Sequence, residues 1–166
     1  AAFGPAAAED VANWIGWNLT PVRAALRAMD DLVVFADEAG RLLYDLPDAP
    51  RPGPDAEAPV RLLAWFDSVL LAYRPAHRDR ILPERHRDEV FCKRNGQVKA
   101  SFLVDGMVAG IWSVDAARRE EAVVTLTPLE SVPRAARDAL LAEAEAMARF
   151  CRPDALRHRV RLEEVR

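Results

Sequence analysis

The residues best suited to chemistry are basic side chains clustered between positions 74 and 99. Only four acidic residues stand in this stretch, so it is positively charged although the whole chain carries a formal net charge of −3. Arginine forms paired hydrogen bonds with phosphates and base edges, and lysine attracts phosphate as a point charge. The stretch therefore predicts a surface that follows a nucleic-acid backbone, with a solvated arginine-rich face as the simpler interpretation. Its basic residues are Arg74, His77, Arg78, Arg80, Arg85, His86, Arg87, Lys93, Arg94 and Lys99.

Sequence patterns for other kinds of chemistry are missing. His77 and His86 do not have the spacing of metal ligands, and neither belongs to an H-E-x-x-H motif. No serine lies in a G-x-S-x-G motif, and no G-x-x-x-x-G-K phosphate-binding loop occurs. Paired carboxylates such as Glu120-Glu121 are typical of a solvated surface. The sequence therefore predicts no catalytic residue, no metal and no cofactor.

Length and composition set the broad class of the protein. A chain of 166 residues, half of them apolar, fits one domain or two small ones. It contains no apolar run of about 18 residues, the length that crosses a membrane. Cys92 and Cys151 lie far apart in the sequence, which predicts free thiols in a reducing, cytoplasmic compartment. The apolar opening Ala-Ala-Phe-Gly-Pro is typical of the end of a helix, so we expect an N-terminal region of the same protein before it.

The elements that carry the first basic side chains form a helix-turn-helix pattern. Apolar residues at helical spacing predict a first helix from Ala7 to Ile15, with Gly16 closing it. Thr20 is a suitable N-cap residue, and Pro21 suits the first turn of a second helix over Val22–Met29. This second helix is the candidate recognition helix. It carries Arg23 and Arg27, which lie four residues apart and share one face.

A predicted β-hairpin follows this pair of helices. The runs Leu32–Phe35 and Arg41–Leu46 are rich in strand-forming residues, and a glycine-containing turn separates them. Helix, helix and hairpin is the order of a winged helix, which we assign to residues 1–46, although other small α+β fragments share this order. Five prolines between Pro47 and Pro59 predict a linker over residues 47–59.

Residues 60–166 are predicted to form an α+β domain, winged-helix-like, with a β-hairpin, an antiparallel sheet and a long C-terminal helix. Asn95-Gly96 and Asp105-Gly106 are strong signals for tight turns, the second of them a type I′ hairpin turn. The predicted strands and helices are Val60–Leu63, the helix Pro83–Phe91, Gln97–Val104, Met107–Val114, Ala122–Leu126, the helix Pro133–Phe150, whose regularly spaced apolar residues form one face, and His158–Leu162. The complete expected fold is thus α+β: a winged helix (helix-turn-helix plus β-hairpin wing) followed by this second domain.

Several of these segments match the motifs of a known family. Residues 61–74 match its "RLLP-FD-LLL-Y-R" opening, and residues 85–112 match its "HR--VF--NG-V-P-lLVDG-VAG-W" core, except that Ala100 replaces a common proline. Residues 2–16 match its "AFGP-T--D---W-G" stretch. The chain therefore resembles the bacterial winged-helix DNA-binding family that contains alkylpurine and interstrand-crosslink DNA glycosylases. The similarity covers most of the chain.

The resemblance implies a function in DNA repair without catalysis by this chain. In that family, base excision is attributed to a Gln-x-Gln or Gln-x-Asp motif in an N-terminal unit. The chain has a single glutamine, Gln97, followed by Val98-Lys99, so no catalytic residue is carried over. The expected function is that of the family's C-terminal, DNA-binding portion, with double-stranded DNA as the partner. The candidate DNA-contacting residues are Arg23, Arg27, Arg85, Arg87, Lys93, Arg94 and Lys99.

Two other functions remain open from the sequence. Winged helices most often serve in transcriptional regulators, which usually dimerise, and the sequence contains no coiled-coil pattern for dimerisation. A protein-interaction module of the same shape is the second alternative. It is supported by the slightly acidic net charge and by Asp30-Asp31 at the end of the candidate recognition helix.

Overall fold

The computed structural model describes residues 3–115 and 120–165. Contacts within the chain divide it into two units, and each unit draws on two separate stretches of sequence. The first unit comprises Ala1–Ala56 and Ser68–Asp79, and the second comprises Glu57–Asp67 and Arg80–Arg166. The chain therefore passes from one unit to the other three times. The predicted limits of the winged helix, the linker and the second domain stay a prediction.

The first unit contains three short helices and a three-stranded antiparallel sheet in the order β1-β3-β2. Its small apolar core joins Ala8 and Ala12 of the first helix to Val22 of the second. The elements in chain order are β1 (Ala6–Ala7), α1 (Ala8–Ile15), α2 (Leu19–Ala28), β2 (Val33–Ala36), β3 (Leu42–Asp45), α3 (Ser68–Leu71) and a 3-10 helix (Pro75–Arg80).

Individual residues determine where α1 ends and where α2 begins. Gly16 adopts the left-handed conformation (φ 70°) at the end of α1, as predicted for a glycine that closes a helix. The second helix begins at Leu19 with Asn18 as its N-cap, earlier than the predicted cap at Thr20. Pro21 is tolerated there because the first four N–H groups of a helix have no partner inside the helix.

The second unit has one main sheet covered by a long helix. The main sheet has five strands in the order β10-β9-β8-β7-β4, and a separate hairpin pairs β5 with β6. The elements are β4 (Arg61–Leu63), a 3-10 turn (Glu84–His86), α4 (Arg87–Val90), β5 (Phe91–Cys92), β6 (Gln97–Val98), β7 (Ser101–Val104), β8 (Met107–Asp115), β9 (Glu121–Pro128), α5 (Arg134–Cys151) and β10 (Arg157–Leu162).

Three of these elements differ from the sequence prediction. The predicted helix Pro83–Phe91 is a 3-10 turn followed by the short helix α4, and Phe91 begins strand β5. The sheet is mixed and not wholly antiparallel, because β10 pairs with β9 in the parallel direction. The intervening helix α5 carries the chain back along the sheet, which is the kind of connection that parallel pairing needs. The predicted strand Gln97–Val104 is interrupted: β6 pairs with β5 and β7 with β8, and Lys99 lies between them, donating its N–H to the Val90 carbonyl at 2.9 Å.

The core of the second unit lies between α5 and one face of the sheet. Leu140 and Ala144 of α5 are fully buried in one apolar cluster with Phe102 and Leu126 of the sheet, which confirms the predicted apolar face of the helix. The indole N–H of Trp112 donates to the Leu63 carbonyl at 2.8 Å inside this cluster. A buried ring of this size is well tolerated because its one polar group has a partner.

The turn between β7 and β8 confirms the type I′ signature of the sequence. Asp105 and Gly106 both have positive φ angles, 51° and 74°. This turn matches the right-handed twist of the strands that it joins. Both cysteines are free and half-buried. Among residues 3–115 and 120–165, no helix is long and apolar enough to cross a membrane.

Candidate nucleic-acid interface

The β5–β6 hairpin carries the most compact group of predicted DNA contacts. Its turn spans residues 93–96, and Gly96 adopts the positive φ angle (68°) that favours glycine. The Gly96 N–H donates to the Cys92 carbonyl at 2.9 Å, and the Asn95 side-chain amide donates to Gln97 Oε1 at 2.9 Å. The hairpin tip is therefore held by its own hydrogen bonds.

Three cations project from this hairpin and its exit. Lys93 and Arg94 are exposed in the turn, and Lys99 is half-buried just after β6. Lys93 Nζ pairs with Asp88 at 2.7 Å. Within the described part of the chain, no acidic group lies within ion-pair distance of Arg94 or Lys99. The residues from Phe91 to Lys99 contain no acidic side chain, so the hairpin is positively charged.

Arg85 and Arg87 lie directly before the hairpin, on the 3-10 turn and at the start of α4. Arg85 is exposed and forms an ion pair with Glu130. The buried His86 ring lies 3.5 Å from the same carboxylate through its Nε2 atom. The hydrogen bond from Arg85 lowers the pKa of Glu130, more than partial burial raises it. The Glu130 carboxylate that positions Arg85 therefore stays charged at lower pH than an ordinary glutamate does.

Arg23 and Arg27 belong to the first unit and lie on the exposed part of α2. Arg23 pairs with Glu9 of α1. Arg27 is exposed in the last turn of the helix, with no acidic group within ion-pair distance among the described residues. The structure thus places five of the seven predicted contacts within residues 85–99 of the second unit, where Arg87 and Lys99 are half-buried and the other three are exposed. The other two lie on a different unit.

Asp10 has a role that the sequence analysis did not identify. This residue of the first turn of α1 is only 3% exposed. Asp10 Oδ2 accepts the Ala7 N–H at 3.2 Å, and Oδ1 accepts the Arg74 N–H at 3.0 Å and contacts His77 Nδ1 at 2.7 Å. A buried carboxylate needs such partners. Asp10 therefore fastens the stretch Ser68–Asp79 to the rest of its unit, and its position in the AFGP motif was the available signal.

A cleft of about 380 Å³ lies in the first unit. Its walls are mainly apolar, with Trp14, Leu26 and Met29 on one side and Tyr44 on another. Asp45 contributes a buried carboxylate oxygen, Oδ2, that has no hydrogen-bond partner, although Arg51 Nε lies 4.0 Å away. The described residues that line the cleft do not pair a nucleophile with a base.

Metal chemistry finds no support in the described residues. Across positions 3–115 and 120–165, no three histidine, cysteine or acidic side chains are grouped so as to hold a metal ion. The cationic groups described above are arginine guanidinium and lysine ammonium groups. These groups bind phosphate or carboxylate.

The chain is similar in fold to a solved DNA glycosylase over almost its whole length. A solved structure, the DNA glycosylase AlkZ of Streptomyces sahachiroi, is similar to the chain with a TM-score of 0.73 and 28% sequence identity. The match covers 98% of this chain and 43% of that one, so the chain spans less than half of the solved glycosylase. No curated protein sequence matches the chain.

A family model provides the firmest assignment. The model for AlkZ-like DNA glycosylases matches residues 1–150, which is most of the chain. The matched residues belong to both units and include Asp10 in the first and Gly96, Gly110 and Trp112 in the second. The mixed α+β architecture with its long C-terminal helix is also similar to that of the solved relative. The chain belongs to the AlkZ-like DNA glycosylase family.

Proposed function

We propose that this chain is a DNA-binding, non-catalytic portion of a DNA repair glycosylase. The proposal is based mainly on the positive charge of the β5–β6 hairpin. This hairpin and its exit carry Lys93, Arg94 and Lys99, and residues 91–99 include no aspartate or glutamate. Family membership supplies the expected partner, since a glycosylase of this family acts on DNA. The exposed Arg85 and the half-buried Arg87 add two positive charges just before the hairpin in the sequence.

The ion pairs on this surface are compatible with DNA binding. Arg85 is 64% exposed and Lys93 is 80% exposed in their pairs with Glu130 and Asp88. Exposed pairs contribute only about 0–1 kcal/mol each. A phosphate can therefore displace the carboxylate at small cost, and binding releases counterions from the DNA, which makes the affinity depend on salt.

The first unit is proposed to be a winged helix with α2 as its recognition helix. Its order is α1, α2 and then the hairpin β2–β3, and the exposed Arg23 and Arg27 lie four residues apart on α2. A recognition helix places its exposed face in the major groove and contacts phosphates at its ends. In this interpretation Arg23 and Arg27 contact phosphates beside the groove.

Base excision is assigned to a region outside this chain. Gln97 is the only glutamine, and its side-chain oxygen accepts a hydrogen bond from Asn95, so it serves the hairpin turn. The solved relative is more than twice as long as the matched region, which leaves room for a catalytic unit elsewhere in a protein of this type. We therefore propose that an N-terminal region of the same protein supplies the chemistry.

Charge reversal tests the proposal. The variant Arg85→Glu/Arg87→Glu/Lys93→Glu/Arg94→Glu should bind a 20-base-pair duplex much more weakly. The slope of log affinity against log salt should decrease by about 0.9 for each phosphate that the protein no longer neutralises. The matched control reverses two exposed arginines of α5, Arg134→Glu/Arg137→Glu, and should bind as the wild type does. Equal affinities of the wild type and the fourfold variant would show that the surface is wrongly assigned.

One observation favours a protein-interaction module as the alternative. Asp30 and Asp31 are exposed directly after α2, where they would repel DNA from the end of a recognition helix. Under that alternative, Arg23→Glu/Arg27→Glu leaves DNA binding unchanged. Under the winged-helix proposal, it weakens DNA binding.

A further inference from the structure

Two large aromatic side chains are exposed side by side in the second unit. Trp65 is 57% exposed and Phe66 is 49% exposed. They follow strand β4, whose last residues Leu62 and Leu63 are buried in or beside the core. Single exposed apolar residues are common on protein surfaces, but adjacent large aromatics often mark a contact site. The pair therefore needs a function other than core packing.

The backbone of Phe66 holds this pair in an unusual conformation. Its φ angle is 57°, in the left-handed region, which is rare for a residue with a bulky side chain. Such conformations persist only where the surroundings fix them, and they cluster at functional sites. The aromatic rings are thus presented outward by a conformation that a glycine would adopt more easily.

A hydrogen bond fixes this segment to the basic hairpin. The Phe66 N–H donates to the Val98 carbonyl at 3.2 Å. Leu63 lies opposite Ser101 at the end of the β4–β7 ladder, and Phe66 and Val98 each lie three residues beyond that pair, outside the two strands. The segment after β4 therefore continues alongside β6, and the aromatic pair lies next to the hairpin that carries Lys93 and Arg94.

Proteins that bind unstacked bases commonly use exposed aromatic side chains next to positively charged ones. Aromatic rings stack on the faces of bases, and neighbouring cations hold the phosphates between them. Apolar side chains also insert between base steps where the stack opens. A fully paired duplex buries the faces of its bases in the stack, so it gives these rings little to contact.

We infer that Trp65 and Phe66 form an aromatic platform that stacks on DNA bases where the base stack is open. Lys93 and Arg94 of the adjacent hairpin contact the flanking phosphates. The inference rests on the proposed function and deepens it, because it specifies the DNA form that this portion prefers: duplex with an unpaired base rather than fully paired duplex.

The test compares variants of the whole chain on three labelled DNAs. These are a paired 20-base-pair duplex, the same duplex with one unpaired base, and the single strand. Trp65→Ala and Phe66→Gly should each weaken binding to the duplex with the unpaired base by about 5-fold to about 100-fold, the range expected when one stacking ring is removed. Binding to the paired duplex should change less than about 2-fold.

Phe66→Gly separates removal of the ring from unfolding of the protein. Glycine adopts the positive φ angle without strain, and this gain offsets the extra freedom that glycine gives to the unfolded chain, so this variant should unfold at about the same temperature as the wild type. The matched control is Phe150→Ala, which removes an aromatic ring that is 82% exposed near the end of α5 in the second unit. The control should bind all three DNAs as the wild type does.

Three results would overturn the inference. The first is unchanged binding of the duplex with the unpaired base by Trp65→Ala/Phe66→Gly. The second is an equal weakening on the paired duplex, which would indicate a general groove contact. The third is weaker self-association with intact DNA binding, which would make the pair a protein contact. If the fourfold charge reversal weakens binding and the aromatic variants do not, the proposed function stands and only this inference fails.

Discussion

Replacing Gly110 by alanine should destabilise the second unit strongly. Gly110 lies in β8, and an added Cβ atom would lie 2.2 Å from two ring atoms of Phe102 and 2.7 Å from the Thr127 carbonyl oxygen. Phe102 is fully buried, so its ring has no open space to enter, and the carbonyl belongs to the neighbouring strand. Both obstacles must move before the methyl group fits.

The magnitude follows from two opposing effects. Overpacking of a tight core costs typically about 1–3 kcal/mol and sometimes more. Alanine reduces the freedom of the unfolded chain, which returns about 0.4–1 kcal/mol. We expect the free energy of unfolding to decrease by about 2 kcal/mol. With a urea dependence of about 1–3 kcal/mol per molar, the midpoint should fall by about 1 M.

Urea denaturation followed by circular dichroism measures this change. Gly53→Ala is the matched control, because a Cβ atom there meets nothing within 4 Å. A second background, Phe102→Ala, tests the cause: without the ring, Gly110→Ala should lose at least half of its cost. A midpoint for Gly110→Ala equal to that of the control, or an undiminished cost without the ring, would refute the reasoning.

Two further predictions concern the carboxylates of the two units. In the wild type, two backbone N–H groups donate to the Asp10 carboxylate. Asp10→Asn replaces one carboxylate oxygen by an NH2 group, which cannot accept a hydrogen bond, so the free energy of unfolding should decrease by about 1–3 kcal/mol. In this variant, backbone amide hydrogen exchange should become faster mainly in Ser68–Asp79, the segment that Asp10 holds. An equal increase in exchange rate across the whole first unit would contradict this role of Asp10. Arg85→Ala removes the hydrogen bond that lowers the pKa of Glu130 below 4.5. A carboxylate with a lowered pKa stabilises the folded state above its unfolded pKa and loses that contribution as the pH falls through its folded pKa. The wild type should therefore be more stable than Arg85→Ala at about pH 7, and the difference between their urea midpoints should disappear as the pH falls through the lowered pKa of folded Glu130. A difference that does not change with pH would exclude this linkage.

Local signals in the sequence were sufficient for much of the fold. Gly16 ends α1, Asp105-Gly106 forms the predicted turn, and the apolar spacing of Pro133–Phe150 gives a helix with the expected buried face. Each of these features depends on residues that are close together in the sequence. Residue propensity and apolar periodicity are local properties of this kind, so they could predict these features.

Features that depend on distant partners were not predictable in this way. The parallel pairing of β10 requires its register with β9, which no local pattern specifies. Likewise, Asp10 looks like an ordinary helix-start acid until Arg74 and His77 fold back onto it. The exposure of Trp65 and Phe66 is also a tertiary property, since apolar residues after a buried strand ordinarily continue into the core. The basic candidates could be selected from the sequence, but their contact with DNA stays a prediction.

The three passages of the chain between its units affect how the protein tolerates breakage. A cut in the proline-rich stretch between Pro47 and Pro59 severs the backbone but leaves Asp10 bonded to Arg74 and His77 across the break. The two pieces would remain one folded assembly, as in fragment complementation. For the same reason, recombination that exchanges residues 1–56 alone would separate Asp10 from its partners. The two segments of the first unit, Ala1–Ala56 and Ser68–Asp79, would therefore have to be exchanged together.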